Sequence, residues 1–450
     1  MNTFKKLGLT IQGNKVTVPD TQLLEGKTLN DLYNSIQPPQ LPLEVDAAIT
    51  IPGANLPFVA TPNLIPTNWH VYQAVATDLM ANSLVINGKA QVVSTTSLDK
   101  ASTGAYIKTI YSSAPAAGDR FSFSVAIGAS FILVGSNLND DKATDAGKVE
   151  MFDLNGNYIK TIYGNAPTTG DGFGVSCAIG ANFFLVGSYA NDDKGSNAGK
   201  VEMFDLSGNY IKTIYSSQPA ASDGFGVSCA IGANFFLVGS YLNDDKATDA
   251  GKVEMFDLNG KYIKTIYGNA PAASDGFGVS CAIGANFFLV GSYLDDDKAT
   301  DAGKVEMFDL NGNYIKTIYG NAPAASDNFG ASVAIGNSFF LVGSYADDDK
   351  ATDAGKVEMF DLSGNYIKTI YGNTPAASDG FGLSVAIGAG FFLVGSYLND
   401  DKATDAGKVE MFANKISTTF TAQDSNISDL AVSITNGIVN NVVIHLRGIS

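Results

Sequence analysis

Residues 225–267 read FGVSCAIG-ANFFLVGSY-LNDDKATDA-GKVEMFDL-NGK-YIKTIY, and this stretch decides the architecture. Four strands are predicted in it. The first, FGVSCAIG, sets Val227, Cys229 and Ile231 against Ser228 and Ala230; small or apolar residues on both faces suit a strand at a crowded centre. FFLVGS is a continuous apolar run and should be buried on both sides. KVEMFD and YIKTIY mix charged and aromatic residues and read as outer strands. The Asn-Gly between them is a strong hairpin signal. Apolar residues do not recur at helical spacing over any long window.

Working outward, the same unit returns every 52 residues. Phe121, Phe173, Phe225, Phe277, Phe329 and Phe381 mark it, as do Pro115, Pro167, Pro219, Pro271, Pro323 and Pro375. GKVEMF begins at Gly147, Gly199, Gly251, Gly303, Gly355 and Gly407. Repeats of this length with four strands each point to propeller blades. The array opens with an isolated fourth strand at 106–111 and ends with a first, second and third strand finishing at Phe412. The predicted fold is therefore an all-β, six-bladed β-propeller over 101–412, closed by pairing the first strand with the last. Closure removes open sheet edges. A seventh, degenerate blade drawn from the flanks is the alternative.

The unit FG-x-S-x-A-I-G, FFLVGSY, DDK and AGKVEMF resembles the FG-GAP repeats of integrin α-chain propellers. It is more similar to the bacterial FG-GAP variant, with an acidic DDD-like loop before a Gly-initiated strand. The resemblance implies a propeller used for extracellular adhesion or ligand binding. Two departures qualify it. Integrin-type repeats carry a calcium loop between the first two strands, whereas the link here is AIGANFF, without a carboxylate. The first repeat also reads Phe121-Ser122 for Phe-Gly, and Asn137 where the others have Tyr.

Strand alternation should bring the long loops SYLNDDKATDAG and YGNAPAASDGFG to one face. That face gains a ring of carboxylates: Asp140, Asp141, Asp145, Asp244, Asp245, Asp249, Asp296, Asp297, Asp301, Asp348, Asp349, Asp353, Asp400, Asp401 and Asp405. Clustered oxygen donors can hold calcium; Asp and Asn also simply shape turns. Repeat two, with Gly195, Ser196 and Asn197, weakens the metal case. No cofactor is required. Tyr189, Tyr241, Tyr293, Tyr345 and Tyr397, at the edge of the acidic loops, could stack on a sugar or anchor a protein partner, or fill gaps between blades. Cys177, Cys229 and Cys281 take the place of Val125, Val333 and Val385, as small buried hydrophobes would.

No enzyme is expected. Six near-identical blades offer equal sites, while an active site needs a few residues in distinct roles. His70 and His445 lie outside the repeats, and no phosphate loop, zinc signature or nucleophile elbow occurs. The net charge of -17 and the lack of a basic cluster argue against nucleic-acid binding. No apolar run is long enough for membrane insertion, and the N-terminus carries no signal-peptide core.

Residues 1–100 read as an anchoring base, with a candidate helix at 29–36, a Pro-rich link and strand-like runs AAITIPG and SLVINGKAQVVS. In 413–450, STTFTA, LAVSIT and NVVIHLRG read as strands that pack with that base. Together these features suggest a virion display protein, a phage fibre, spike or decoration protein, made in the host cytoplasm. Its flanks would bind other virion proteins and its propeller a cell-surface glycan or protein, and an oligomer is expected. A bacterial extracellular adhesion module is the alternative.

Overall fold

In the computed structural model of the chain, residues 103–414 are described in full, and the flanks as a set of backbone strands. Gly104–Ala413 form one compact unit; residues 1–103 and 414–450 belong to another.

The first unit is a ring of six four-stranded antiparallel sheets. Blade 3 is representative: Ser228–Ile231 (strand a), Phe235–Ser240 (b), Lys252–Asp257 (c) and Tyr262–Ile266 (d), hydrogen-bonded in that order. Blade 6 takes a, b and c from Phe381–Ile387, Phe391–Ser396 and Lys408–Ala413, and strand d from Tyr106–Ile110 near the other end of the unit. The closing register sets Val409 opposite Ile110 and Phe412 opposite Tyr106, the same frame as Val253 with Ile266 and Phe256 with Tyr262 inside blade 3. The sixth blade is thus assembled from both ends of the propeller.

Hydrophobic burial lies between blades more than within them. One cluster joins Leu133, Val149 and Met151 of blade 1 to Ile162 of its strand d and to Phe173, Cys177, Phe184 and Phe204 of blade 2. The pattern repeats around the ring. The three cysteines sit in these seams, buried and free. Strand b is wholly buried in five blades, and only Phe391 of the sixth is less than fully so. Its glycine is required by close approach: a Cβ on Gly239 would run into the Gly278 carbonyl oxygen of the next blade.

Two expectations need correction. Strand c is not an outer, solvated strand: its Lys and Glu residues are buried, and only strand d shows the exposed pattern. The chemistry of this burial is that every charge has a partner, as set out below. Strand a is also shorter than read in blades 3, 4 and 5, beginning at Ser228, Ser280 and Ser332. The glycine two residues before this serine has positive φ in blades 2 to 6, such as Gly226 at 94° and Gly174 at 92°, so its conformation is shared by the long and the short first strands.

In the flanks, one seven-stranded sheet runs Lys15–Thr17, Gly8–Gln12, Glu44–Pro52, Asn441–Ile449, Trp69–Thr77, Ile416–Ala422, Val92–Leu98. C-terminal strands alternate with N-terminal ones, and Glu44–Pro52 pairs with Asn441–Ile449 over nine residues. A three-stranded sheet sets Leu430–Ile434 between Phe58–Ala60 and Leu84–Ile86. The candidate helix at 29–36 lies outside the described residues.

Candidate functional site

The b–c loop and the d–a loop do meet on one face, and backbone hydrogen bonds tie them together. Gly276 N donates to Asp249 O and Phe277 N to Ala250 O, so the connection entering blade 4 is stitched to the acidic loop of blade 3. The equivalent bonds from Arg120 N to Asp405 O and from Phe121 N to Ala406 O carry the pattern across the closure.

Within each acidic loop the three carboxylates have separate tasks. The first caps the turn: Asp244 Oδ1 accepts from Asp249 N at 2.8 Å. The third sits in the left-handed region, Asp249 at φ 53°, where Asp and Asn are the side chains best tolerated. Repeat two keeps this geometry with Asn197, at φ 51° and bonded to Asp192 Oδ1. An amide that preserves the turn while losing the charge indicates selection for backbone shape.

The second carboxylate points inward to a cation the chain supplies itself. Asp245 lies 3.4 Å from Lys252 Nζ and accepts from Tyr267 Oη at 3.0 Å. Lys252 is 2% exposed and also faces Asp223, 3.8 Å away, from the d–a loop. The remaining Asp223 oxygen accepts from Asn243. All six blades repeat a buried lysine paired to carboxylates, at Lys148, Lys200, Lys252, Lys304, Lys356 and Lys408. In blades 4 and 5 the Asn is replaced by Asp295 and Asp347, each at 2.5 Å from its lysine. Burial alone would lower Lys304 and Lys356; these carboxylates outweigh it and hold both above the usual lysine range. Lys246 closes the assembly, its Nζ 4.4 Å from the centre of the Tyr267 ring. Burial, followed by the bond to Asp245, pushes Tyr267 up to about 12.

The first carboxylate of each loop is engaged by a backbone donor and the second by lysine and tyrosine. Among the described residues no group of three or more His, Cys, Asp or Glu side chains converges as a metal cage would. The cysteines offer no nucleophile near neutral pH, since burial pushes each thiol up to about 12.

The five tyrosines that follow strand b stand apart from this ionic layer. Each comes directly after a buried serine (Ser188, Ser240, Ser292, Ser344 or Ser396) and is itself half-buried. They line the inner rim of the loop face: Tyr241 and Tyr293 have ring centres 6.5 Å apart, Tyr345 and Tyr397 6.1 Å. Their hydroxyls make no hydrogen bond to another described side chain or backbone group. Burial raises Tyr241, Tyr293, Tyr345 and Tyr397 above the ordinary phenol range, so they remain donors. Five aromatic rings with free hydroxyls, one in each of five blades, form a surface suited to planar, hydroxyl-bearing or apolar groups.

Sequence reasoning found these tyrosines and the acidic loops. It missed the buried lysine, the strand-d tyrosine that latches the loop, and Arg120. Arg120 had a signal: the chain holds two arginines, Arg120 and Arg447, and only the first is in the propeller.

Comparison with known proteins gives the same architecture at the level of family. No curated protein matches the chain. Among solved structures, the WD40 domain of Neurospora crassa Pan2 aligns at 11% identity and a TM-score of 0.39, covering 68% of this chain and 90% of that one. The FG-GAP repeat family matches six segments, 107–152, 164–204, 211–256, 265–308, 317–360 and 369–412, together more than half of the chain. The chain belongs to the FG-GAP repeat family.

Proposed function

We propose that this chain is a non-enzymatic display protein whose propeller recognises a cell-surface glycan or protein through the tyrosine rim. The observation that carries the reading is the set of five half-buried tyrosines with unengaged hydroxyls, repeated about one axis. Repeated weak contacts on a rigid ring favour a multivalent surface, because after the first contact each further one is intramolecular. The acidic loops beneath are the scaffold that fixes the rim.

The setting we favour is a virion, with the propeller of a fibre, spike or decoration protein carried on the flanks. Strands from both flanks share one sheet, so the propeller is an insertion within a base, an arrangement suited to displaying one domain from another. In this reading the acidic loop makes the bacterial FG-GAP variant the nearest kind of repeat, and the flanks contact other virion proteins in an oligomer. A bacterial surface adhesion module is the second reading, supported by the same rim.

Fluorescently labelled full-length chain and a Tyr241→Ser/Tyr293→Ser variant are to be compared for binding to intact host cells. A loss of at least tenfold in the variant, at unchanged melting temperature, supports the rim as the contact. Equal binding rejects it. Following the chain through a density gradient of the source culture separates the settings: sedimentation with particles supports the virion reading, and recovery with envelopes the adhesin.

A further inference from the structure

The rim is broken at one place. Blade 1 has Asn137 where the other five have tyrosine, and the same blade carries Arg120 where blades 2, 3, 4 and 6 have Gly172, Gly224, Gly276 and Gly380. The two changes sit side by side, and glycine leaves little room beside the ring, although blade 5 holds Asn328 at φ 55° together with Tyr345. A Cβ on Gly172 would stand 3.0 Å from Tyr189, and one on Gly224 3.1 Å from Tyr241. With asparagine in place of the ring, the blade gains room for a long side chain. Arg120 keeps the left-handed backbone of its counterparts, φ 54° against 64° at Gly172.

Arg120 lies with its guanidinium carbon 5.7 Å from the centre of the Tyr397 ring. Phe123, where the other blades have Val175, Val227, Val279, Ala331 and Leu383, packs edge-on to the same ring at 5.6 Å. The guanidinium makes no hydrogen bond and no ion pair with any described residue, although acidic residues crowd this face of a chain of net charge -17. Nearby in the blade two polar atoms are also unpartnered: Asn137 Oδ1, on a residue 1% exposed, and Ser122 Oγ, on a residue 0% exposed. The buried lysines of the six blades are paired to carboxylates; Arg120 rests on an aromatic ring with its guanidinium N–H donors unpaired.

We propose that the blade 1 gap is a single carboxylate-recognition site for an acidic sugar, an inference that rests on the glycan form of the rim reading. The planar guanidinium takes the sugar carboxylate by two parallel hydrogen bonds, while Tyr397 and Phe123 supply the aromatic surface for the ring. The five-tyrosine rim supplies general affinity; Arg120 supplies the choice of acidic over neutral sugar.

The test compares methyl glucuronide with methyl glucoside, sugars that differ at the carboxylate, by ligand-observed NMR titration of the full chain. The wild type should bind the glucuronide about tenfold more tightly, as a charge-assisted pair implies. Arg120→Gly, which restores the residue of four other blades at a φ glycine prefers, should bind both equally. Arg120→Lys should keep part of the preference. A preference that survives Arg120→Gly, or no preference in the wild type, overturns the proposal. Tyr241→Ser/Tyr293→Ser keeps the two readings apart. If that variant weakens both sugars while Arg120→Gly changes neither, the rim stands and the carboxylate site falls. If only Arg120→Gly acts, the site stands without the rim.

Discussion

Lys252→Met would leave Asp223 buried, its charge facing no ammonium, in a space where burial already raises its carboxyl above the usual range. Removing one partner of a buried pair costs about 3 kcal/mol or more. We expect a melting temperature roughly 5 °C lower by differential scanning calorimetry. Adding Asp223→Asn should recover most of the loss, because the orphaned charge goes with it. An unchanged melting temperature in Lys252→Met would show that the ammonium is solvated and not part of the core. Cys229→Val makes the opposite case. Val125, Val333 and Val385 fill the equivalent seams, so the change should move the melting temperature by less than about 2 °C. The cysteine role was legible from its valine counterparts. That of Lys252 was not, because a lysine opening a strand of alternating character reads as solvated until the loop carboxylates around it are located in space.

At the level of elements, the blades are joined by charge as well as by apolar seams. Glu202, Glu306, Glu358 and Glu410 of strand c each accept a backbone N–H from the connection leaving the preceding blade, as Glu358 does from Asn321 N at 2.9 Å. Inner strands are linked by serine: Ser228 Oγ donates to Gly278 O at 2.7 Å. The last of these bonds, Ser384 Oγ to Ser122 O, crosses the closure. Burial raises all four of those glutamates, and Asp119, Asp223, Asp275 and Asp327 with them. A carboxyl raised in the folded state binds protons more readily folded than unfolded. Its contribution is complete below the unfolded value, about 4, and is lost as pH rises through the folded one. Asp245 and Asp297 act in the other direction. For Asp245, burial is outweighed by the Tyr267 bond and Lys252; for Asp297 the Tyr319 bond leads. Both sit low, and their contribution disappears as pH falls below about 4. Melting temperature should therefore rise as pH is lowered from 8 toward about 4, as the buried carboxyls take up protons, with the contribution of Asp245 and Asp297 lost below about 4. A steady rise from pH 5 to 8 would contradict the buried-carboxyl assignment. The strands of each blade were legible because turn signals and period-two patterns are local. The order of strands in the flank sheets was not, since pairing between segments hundreds of residues apart leaves no local mark.

The whole ring depends on one joint without a covalent turn. In blade 3, strands c and d are tied by the Asn259-Gly260 hairpin; in blade 6 the corresponding strands, Lys408–Ala413 and Tyr106–Ile110, meet only through hydrogen bonds and packing. Six copies and a displaced fourth strand made this closure readable from spacing alone, whereas the blade 1 departure at Arg120 gained meaning only once the fold laid it beside Tyr397. Ile110 and Ile266 offer a matched comparison, being 4% and 5% exposed in equivalent inter-blade clusters. A buried aspartate in place of either costs several kcal/mol at its seam. After Ile266→Asp, the hairpin holds strand d near its partner at high effective concentration, and the blade can re-form around the defect. After Ile110→Asp no direct turn holds it; strand d stays tied to strand c only through the pairing of Leu98 with Ile416 in the flanks, a longer tether than the hairpin, so strand c of blade 6 more readily gains an open edge able to pair with another molecule. Ile110→Asp should therefore lower the melting temperature further than Ile266→Asp and shift the chain to larger species on size-exclusion chromatography relative to the parent. Equal melting temperatures and unchanged elution for both variants would mean that the closing strand adds no more to the ring than any other outer strand.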